Sequence, residues 1–187
     1  MDDEVRGTIG GVLSREEIES LLDRTPPLIE GMADQAEQLQ PNGVDLTLES
    51  IAVFIGPGTL ARHNRDRRLP DSEDLTFDDA GQIELAPGPY LVRFTEKVNL
   101  PVDCMAYARP RSSLLRSGVA LHTAVWDAGY SGQGAALLVV YNPQGFRLQH
   151  QARIVQLVFH RLSAATASGY QGAYQNESGN SGHGNGR

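Results

Sequence analysis

In several stretches of the chain, apolar residues alternate with polar ones at a period of two or gather in short apolar runs, each broken by Gly, Pro or Asn. That is the signature of half-buried strands rather than helices. After the Pro41-Asn42-Gly43 turn, Val44, Leu46 and Leu48 alternate with Asp45 and Thr47, and strand character continues through Ile51–Ile55. Asp45 is thereby expected on the face opposite the three apolar residues. The stretch from Ile83 to Phe94 gives strand, Pro-Gly turn, strand. Residues 97–101 and 105–108 continue the meander, and Ala135–Val140 is apolar enough for a buried strand. Phe146–Gln149 and Ala152–Leu162 complete the β region. Short strands at this spacing predict an all-β barrel or sandwich rather than βαβ units.

Two segments break the pattern. Val12–Leu22 reads as a helix, with Ser14 as N-cap, Glu17 completing a capping box, and Ile18, Leu21 and Leu22 as its apolar stripe. Pro26-Pro27 stops it and leaves Leu28-Ile29 as a short strand. Ser112–Arg116 is expected to make one or two helical turns, with Gly118 as the stop. Residues 1–10 are polar and expected to be loose, and 56–82, rich in charge with Arg62, Arg65, Arg67 and Arg68, read as a solvated loop or an exposed hairpin. From 168 to 187 the chain is Gly, Ser, Asn and Gln with Tyr170 and Tyr174, so it divides into a β domain over 1–167 and a flexible arm over 168–187.

Composition narrows the function classes. The 187 residues suit one domain with a real core, and no uninterrupted apolar run approaches a membrane span. Met1-Asp2-Asp3-Glu4 lacks the basic-then-apolar layout of a signal peptide. A net charge of −7 gives no electrostatic support for coating a nucleic acid. Cys104 is the only cysteine, which excludes an internal disulfide and suits a reducing cytoplasm; it reads as a small buried hydrophobe. The expectation is a cytoplasmic protein without nucleic-acid or membrane partners.

Candidate chemistry concentrates in residues 109–134. Arg109, Arg111 and Arg116 with Ser112 and Ser113 supply guanidinium forks and hydroxyls, the groups that hold phosphates. Asp127 stands between apolar Val125-Trp126 and a Gly-rich turn, with Tyr130 three places on. Phosphate holder, isolated acid and aromatic plate suggest a nucleotide site. The same residues also fit a surface arginine cluster followed by a turn aspartate. Taken alone, Asp45 suits a sheet edge, Gln156 an outward strand position, and His63 and His122 exposed or structural roles.

Pro110-Arg111-Ser112-Ser113-Leu114, His122-Thr123-Ala124 and Trp126-Asp127-Ala128-Gly129-Tyr130-Ser131-Gly132 together resemble the dCTP deaminase/dUTPase superfamily. The resemblance extends to Gln40-Pro41-Asn42-Gly43-Val44-Asp45-Leu46-Thr47-Leu48, to Arg153-Ile154-Val155-Gln156-Leu157, and to Tyr170–Gln175. It implies a distorted β-barrel forming homotrimers, with sites assembled across subunits. It also implies that Arg111, Ser112, Ser113, Arg116 and Gln156 hold phosphates, and that Tyr130 packs on deoxyribose. Thr123, Ala124, Tyr170, Tyr174 and Gln175 would contact substrate, the last three on an arm that closes over it. Asp45 would help organise the site around the triphosphate and its Mg2+, an ion carried mainly by the triphosphate rather than by protein ligands.

Two chemistries share this family pattern. Deamination of dCTP there resembles glutamate-driven water attack, the Glu lying about ten residues after the motif Asp, because one group must activate water and protonate the leaving amine. Here that strand is Ala135–Val140, and no Asp or Glu occurs between Asp127 and Glu177. The Lys usual before the arm's Tyr-Gln is Ala173. Hydrolysis of dUTP at the α-phosphate needs only one carboxylate to deprotonate water, and Asp127 is the candidate. The resemblance therefore points to the archaeal-type dUTPase branch, yielding dUMP and pyrophosphate. A dCTP deaminase, alone or bifunctional, and a non-catalytic nucleotide-binding trimer are the alternatives.

Overall fold

The computed structural model describes residues 11–178. In chain order the elements are helix α1 (Arg15–Leu22), strand β1 (Ile29–Glu30), a one-turn helix α2 (Gln35–Gln38), β2 (Leu39–Gln40) and the long β3 (Gly43–Ile55). They continue with β4 (Asp71–Asp74), β5 (Gln82–Leu85), β6 (Gly88–Asn99), β7 (Cys104–Pro110) and helix α3 (Ser112–Arg116). Strands β8 (Val119–His122), β9 (Val125–Trp126), β10 (Ser131–Val140), β11 (Phe146–Gln149) and β12 (Arg153–Arg161) complete the domain. The expected all-β class holds.

One sheet dominates, in the order β8-β10-β6-β3-β12-β7-β9, and it curls until its ends approach. Near that seam the Thr123 hydroxyl reaches the Ala108 carbonyl at 3.5 Å. Inside lie Leu46, Leu48, Ile51, Phe94, Leu138, Ile154, Leu157 and Phe159, all fully buried, with Trp126 packed 6.2 Å from Phe94. Each such side chain stabilises the fold by about 1.5–3 kcal/mol relative to exposure. On β10, read from its apolar run as a buried strand, burial alternates instead: Gly132, Gly134, Ala136, Leu138 and Val140 face inward and the residues between them are only half-covered.

Helix α1 begins as its sequence dictates. The Glu17 amide donates to the Ser14 hydroxyl, the Ser14 amide donates to Glu17 at 3.0 Å, and Ile18 and Leu21 join the buried core. Helix α3 ends at Gly118, whose φ of +73° suits the stop.

Three details depart from the alternation pattern. Strands β5 and β6, joined by the Pro-Gly turn, do not pair with each other. β6 already has β10 on one edge and β3 on the other, so β5 pairs with β11 in a separate ribbon. Within 56–82, β4 pairs with the end of β3, making an exposed hairpin. Its Asp-Ser-Glu-Asp sequence has little strand propensity, and the open β3 edge imposes the conformation. On β3 itself both faces are buried from Gly43 to Leu48, so Asp45 points away from its apolar neighbours yet is only 3% exposed.

Candidate active site

The candidate residues gather in two places. The first is where β3, β12 and β7 run side by side. Gln156 on β12 lies opposite Asp45 on β3 and opposite Arg109 on β7. Immediately after β7, Arg111 sets its Nε 3.4 Å from Asp45 Oδ2, and Arg153 approaches the same oxygen at 3.7 Å. Burial pushes the Asp45 carboxyl above its ordinary value, while the two guanidiniums act in the opposite direction. Gly43 provides the seat for Gln156, since a Cβ there would meet Leu157 O at 2.5 Å and Gln156 Cγ at 3.1 Å. Ser112 and Ser113 open α3 beside Arg111, and both are exposed, as is Arg116. Two arginines oriented by one buried carboxylate, with exposed hydroxyls and an amide close by, can receive a polyanion.

The second place is the turn between β9 and β10. Asp127 is exposed there, its carbonyl accepting from the Tyr130 amide at 3.0 Å. Tyr130 is buried, and its hydroxyl donates to Gln133 O at 3.2 Å. Burial is the main cause holding that phenol well above its ordinary value. Residues 169–177 lie against this turn. The Tyr170 ring meets Tyr130 edge-on at 5.6 Å, and the Tyr170 amide donates to Ala128 O at 2.8 Å. Gln175 clamps the turn through both ends of its amide, accepting from Ser131 N at 3.0 Å and donating to Gly129 O at 3.1 Å. Tyr174 sits beneath the Arg67 guanidinium at 5.4 Å, which brings the arginine-rich hairpin into contact with the arm. Gly129, at φ +79°, makes the close approach possible, because a Cβ would stand 2.5 Å from Gly169 Cα. Thr123 and the exposed Ala124 lie in the β8–β9 connection leading to this turn.

Within the chain the two places stay apart. Strand β9 pairs antiparallel with β7 at Ala106 and Tyr107, so Asp127 leaves the sheet near the start of β7 and Arg111 near its end. Six residue steps separate those levels, about 20 Å. The β10 strand that follows carries no acid among its ten residues. Among the described residues, no group of three or more His, Cys, Asp or Glu side chains could cage a metal ion. Cys104 is buried and its thiol is pushed up to about 11, mainly by burial, which fits its packing role.

Sequence reasoning missed a buried polar group behind Asp45. Glu96 is fully buried; it accepts from Gln38 Nε2 at 2.6 Å, Thr47 Oγ1 at 2.7 Å and Thr47 N at 2.9 Å. Glu37 was missed too; it pairs with Arg153 at 3.0 Å. The signal for Glu96 was its parity on β6, where Tyr90, Val92, Phe94, Glu96 and Val98 all take inward positions. A charge at an inward position of an alternating strand marks a satisfied buried group.

Comparison with known proteins agrees with this architecture. A family model described as dCTP deaminase-like matches residues 12–162. A protein of Methanosarcina mazei named probable deoxyuridine 5'-triphosphate nucleotidohydrolase is 47% identical over 169 residues, covering 90% of this chain and 99% of its own length. One of the same name from Archaeoglobus fulgidus is 45% identical over 166 residues, covering 89% of this chain and 96% of its own. The crystal structure of 2'-deoxycytidine 5'-triphosphate deaminase from Agrobacterium tumefaciens superposes with a TM-score of 0.63 at 23% identity, over 81% of this chain and 48% of that one, a likeness of fold. The match over nearly the whole β domain, together with relatives aligned from end to end, establishes that the chain belongs to the dCTP deaminase-like family.

Proposed function

We propose that this protein is a dUTP diphosphatase, hydrolysing dUTP to dUMP and pyrophosphate. That activity keeps uracil out of DNA and supplies dUMP for dTMP synthesis. The observation that carries the proposal is the contrast between β9–β10 turn and β10 strand. A solvent-accessible carboxylate, Asp127, stands at the turn, while the following strand offers only apolar, Gly, Ser and Gln side chains. Deaminating a cytosine ring requires an acid–base group at the base; hydrolysing a phosphoanhydride requires a base for water and cations for the leaving group. The chain supplies the second set. The names of the two archaeal relatives point the same way.

In this mechanism Asp127 takes a proton from a water molecule whose oxygen attacks the α-phosphorus in line. The P–O bond to the β-phosphate breaks and pyrophosphate departs. Arg111, Arg116, Ser112, Ser113 and Gln156 hold the phosphates, with Asp45 fixing the direction of Arg111 and Arg153. Tyr130 packs on the deoxyribose, Thr123 and Ala124 border the base, and Tyr170, Tyr174 and Gln175 close the arm over the nucleotide. Mg2+ fits as an ion carried by the triphosphate, since Asp45 is committed to two arginines; when bound it neutralises charge on the phosphates. The separation of Asp127 from Arg111 along β7 supports a site completed between subunits of a homotrimer. A cytoplasmic location suits this chemistry.

Asp127→Asn tests the assignment. The amide keeps the shape of the carboxylate without its basicity, so dUTP binding should persist while kcat falls at least about 100-fold. Near-normal turnover would remove Asp127 as the base.

A further inference from the structure

Strand β3 changes neighbours along one edge. Leu48 exchanges hydrogen bonds with the turn before β12, donating to Ala152 O and accepting from Gln151 N. Residues 45 and 47 point their backbone groups to the other edge, as alternate strand residues must. There β2 covers Gly43 and Val44, and β6 takes over only from Leu48, with a register shift before Ser50. Between them, the Asp45 carbonyl and Thr47 amide have no strand to pair with, and both residues are buried. Side chains take the place of the missing strand. Gln38 Nε2 donates to Asp45 O at 2.9 Å and to Glu96 Oε1 at 2.6 Å, while Glu96 accepts the Thr47 amide and hydroxyl.

All three groups facing Glu96 can donate, so a carboxylate satisfies them together and a neutral amide cannot. The same short segment of β3 sets the orientation of the phosphate-binding side chains. Asp45 is the partner of Arg111 and Arg153, and lies opposite Gln156; Thr47 lies opposite Arg153. Helix α2 is tied in as well, since Glu37 holds Arg153 and the next residue, Gln38, bridges Glu96 to β3.

We propose that Glu96 is a positioning residue of the triphosphate end: by pinning β3 at residues 45–47 through Gln38 and Thr47, it aims Asp45, and so Arg111 and Arg153, at the phosphates. The proposal rests on the dUTP diphosphatase reading above. Among the described residues, the hydrogen bonds of this network run to Gln38, Asp45 and Thr47 and not to Asp127 or Tyr130, so its loss should weaken phosphate holding and spare both the base and the sugar contacts.

The test uses the full chain with Glu96→Gln, Thr47→Val and Thr47→Ser, comparing the KM and kcat for dUTP with competitive inhibition by dUMP. Glu96→Gln turns an NH2 toward a donor, and its KM for dUTP should rise about tenfold, with kcat within about threefold of the parent. Inhibition by dUMP, which lacks the β- and γ-phosphates, should change less than about twofold. Thr47→Val removes one donor and keeps the carboxylate, so it should show a smaller rise of about threefold, which Thr47→Ser should largely restore. Should Glu96→Gln not fold, the Thr47 pair decides. An unchanged KM in a cooperatively melting variant, or dUTP and dUMP weakened in parallel, would overturn the proposal. Absence of pyrophosphate release by the parent protein would instead overturn the functional reading on which it stands.

Discussion

Adding one methyl group at Gly129 should unseat the C-terminal arm. The residue sits at φ +79°, where a side chain costs about 1–2 kcal/mol, and its Cβ would stand 2.5 Å from Gly169 Cα. That neighbour is backbone and cannot rotate away, so the overlap adds about 1–3 kcal/mol as long as the arm stays down. Hydrogen bonds that hold the seat include Tyr170 N to Ala128 O, Asn176 N to Ser131 O, Gln133 N to Glu177 O, Ser131 N to Gln175 Oε1 and Gln175 Nε2 to Gly129 O. Most side chains from 171 to 178 stay exposed, so these bonds, with little apolar burial behind them, make the seat shallow. A penalty of about 2 kcal/mol is enough to shift it about thirtyfold toward the unseated form. In Gly129→Ala, hydrogen-exchange protection at the Tyr170 and Asn176 amides should therefore fall about thirtyfold, while β3, β6 and β12 keep theirs. Gly169→Ala presses on the same contact, at 2.9 Å, without the positive φ, and should release the arm with less loss of melting temperature. Both variants should lose kcat/KM on dUTP. Unchanged protection at Tyr170 and Asn176 in both would refute the glycine-to-glycine seat.

Other consequences concern the phosphate end and the buried acids. Arg111→Lys replaces a fork by a point charge beside Asp45, and should raise the KM for dUTP about tenfold with little change in kcat; an equal fall in kcat would indicate a role in the chemical step. Burial holds the carboxyls of Glu96 and Asp45 above their ordinary values. The folded state thus binds these protons more tightly than the unfolded state. The stability they contribute is fully present below the ordinary carboxylate pKa and is lost as pH rises through the raised values. Thermal melts across that window should show the parent's advantage over Glu96→Gln shrinking as pH rises, and an advantage growing with pH would reverse the assigned direction of the shift.

The β class, the α1 capping box and the positions of most strands were legible in the sequence because they rest on local signals. Ser14 and Glu17 lie three residues apart, and Val44, Leu46 and Leu48 alternate with Asp45 and Thr47 on β3. Pairing was less legible, since it depends on which edges are already taken. The Pro-Gly turn between β5 and β6 suggests a hairpin, but both β6 edges belong to distant strands. The candidate site showed the same division. Asp127, Tyr130 and the Arg-Ser segment stand out by residue type. What holds Asp45 does not, because Gln38, Glu96 and Arg153 lie 7, 51 and 108 residues away from it in sequence. Taken alone Asp45 suits a sheet edge, but in the fold its carboxylate is buried and paired with Arg111 and Arg153. Contact between Arg67 and Tyr174 was likewise unreadable, as neither composition nor period relates an exposed hairpin to an arm more than a hundred residues later.

The central claim turns on which bond the protein breaks. Purified protein incubated with Mg2+ and either dUTP or dCTP, followed for pyrophosphate, ammonia and nucleotide products, tests it most directly. With Asp127 at the turn and no acid on β10, dUTP should yield dUMP and pyrophosphate in equal amounts, and dCTP should yield no ammonia. Ammonia from dCTP, or tight binding of dUTP with no pyrophosphate formed, would contradict the account.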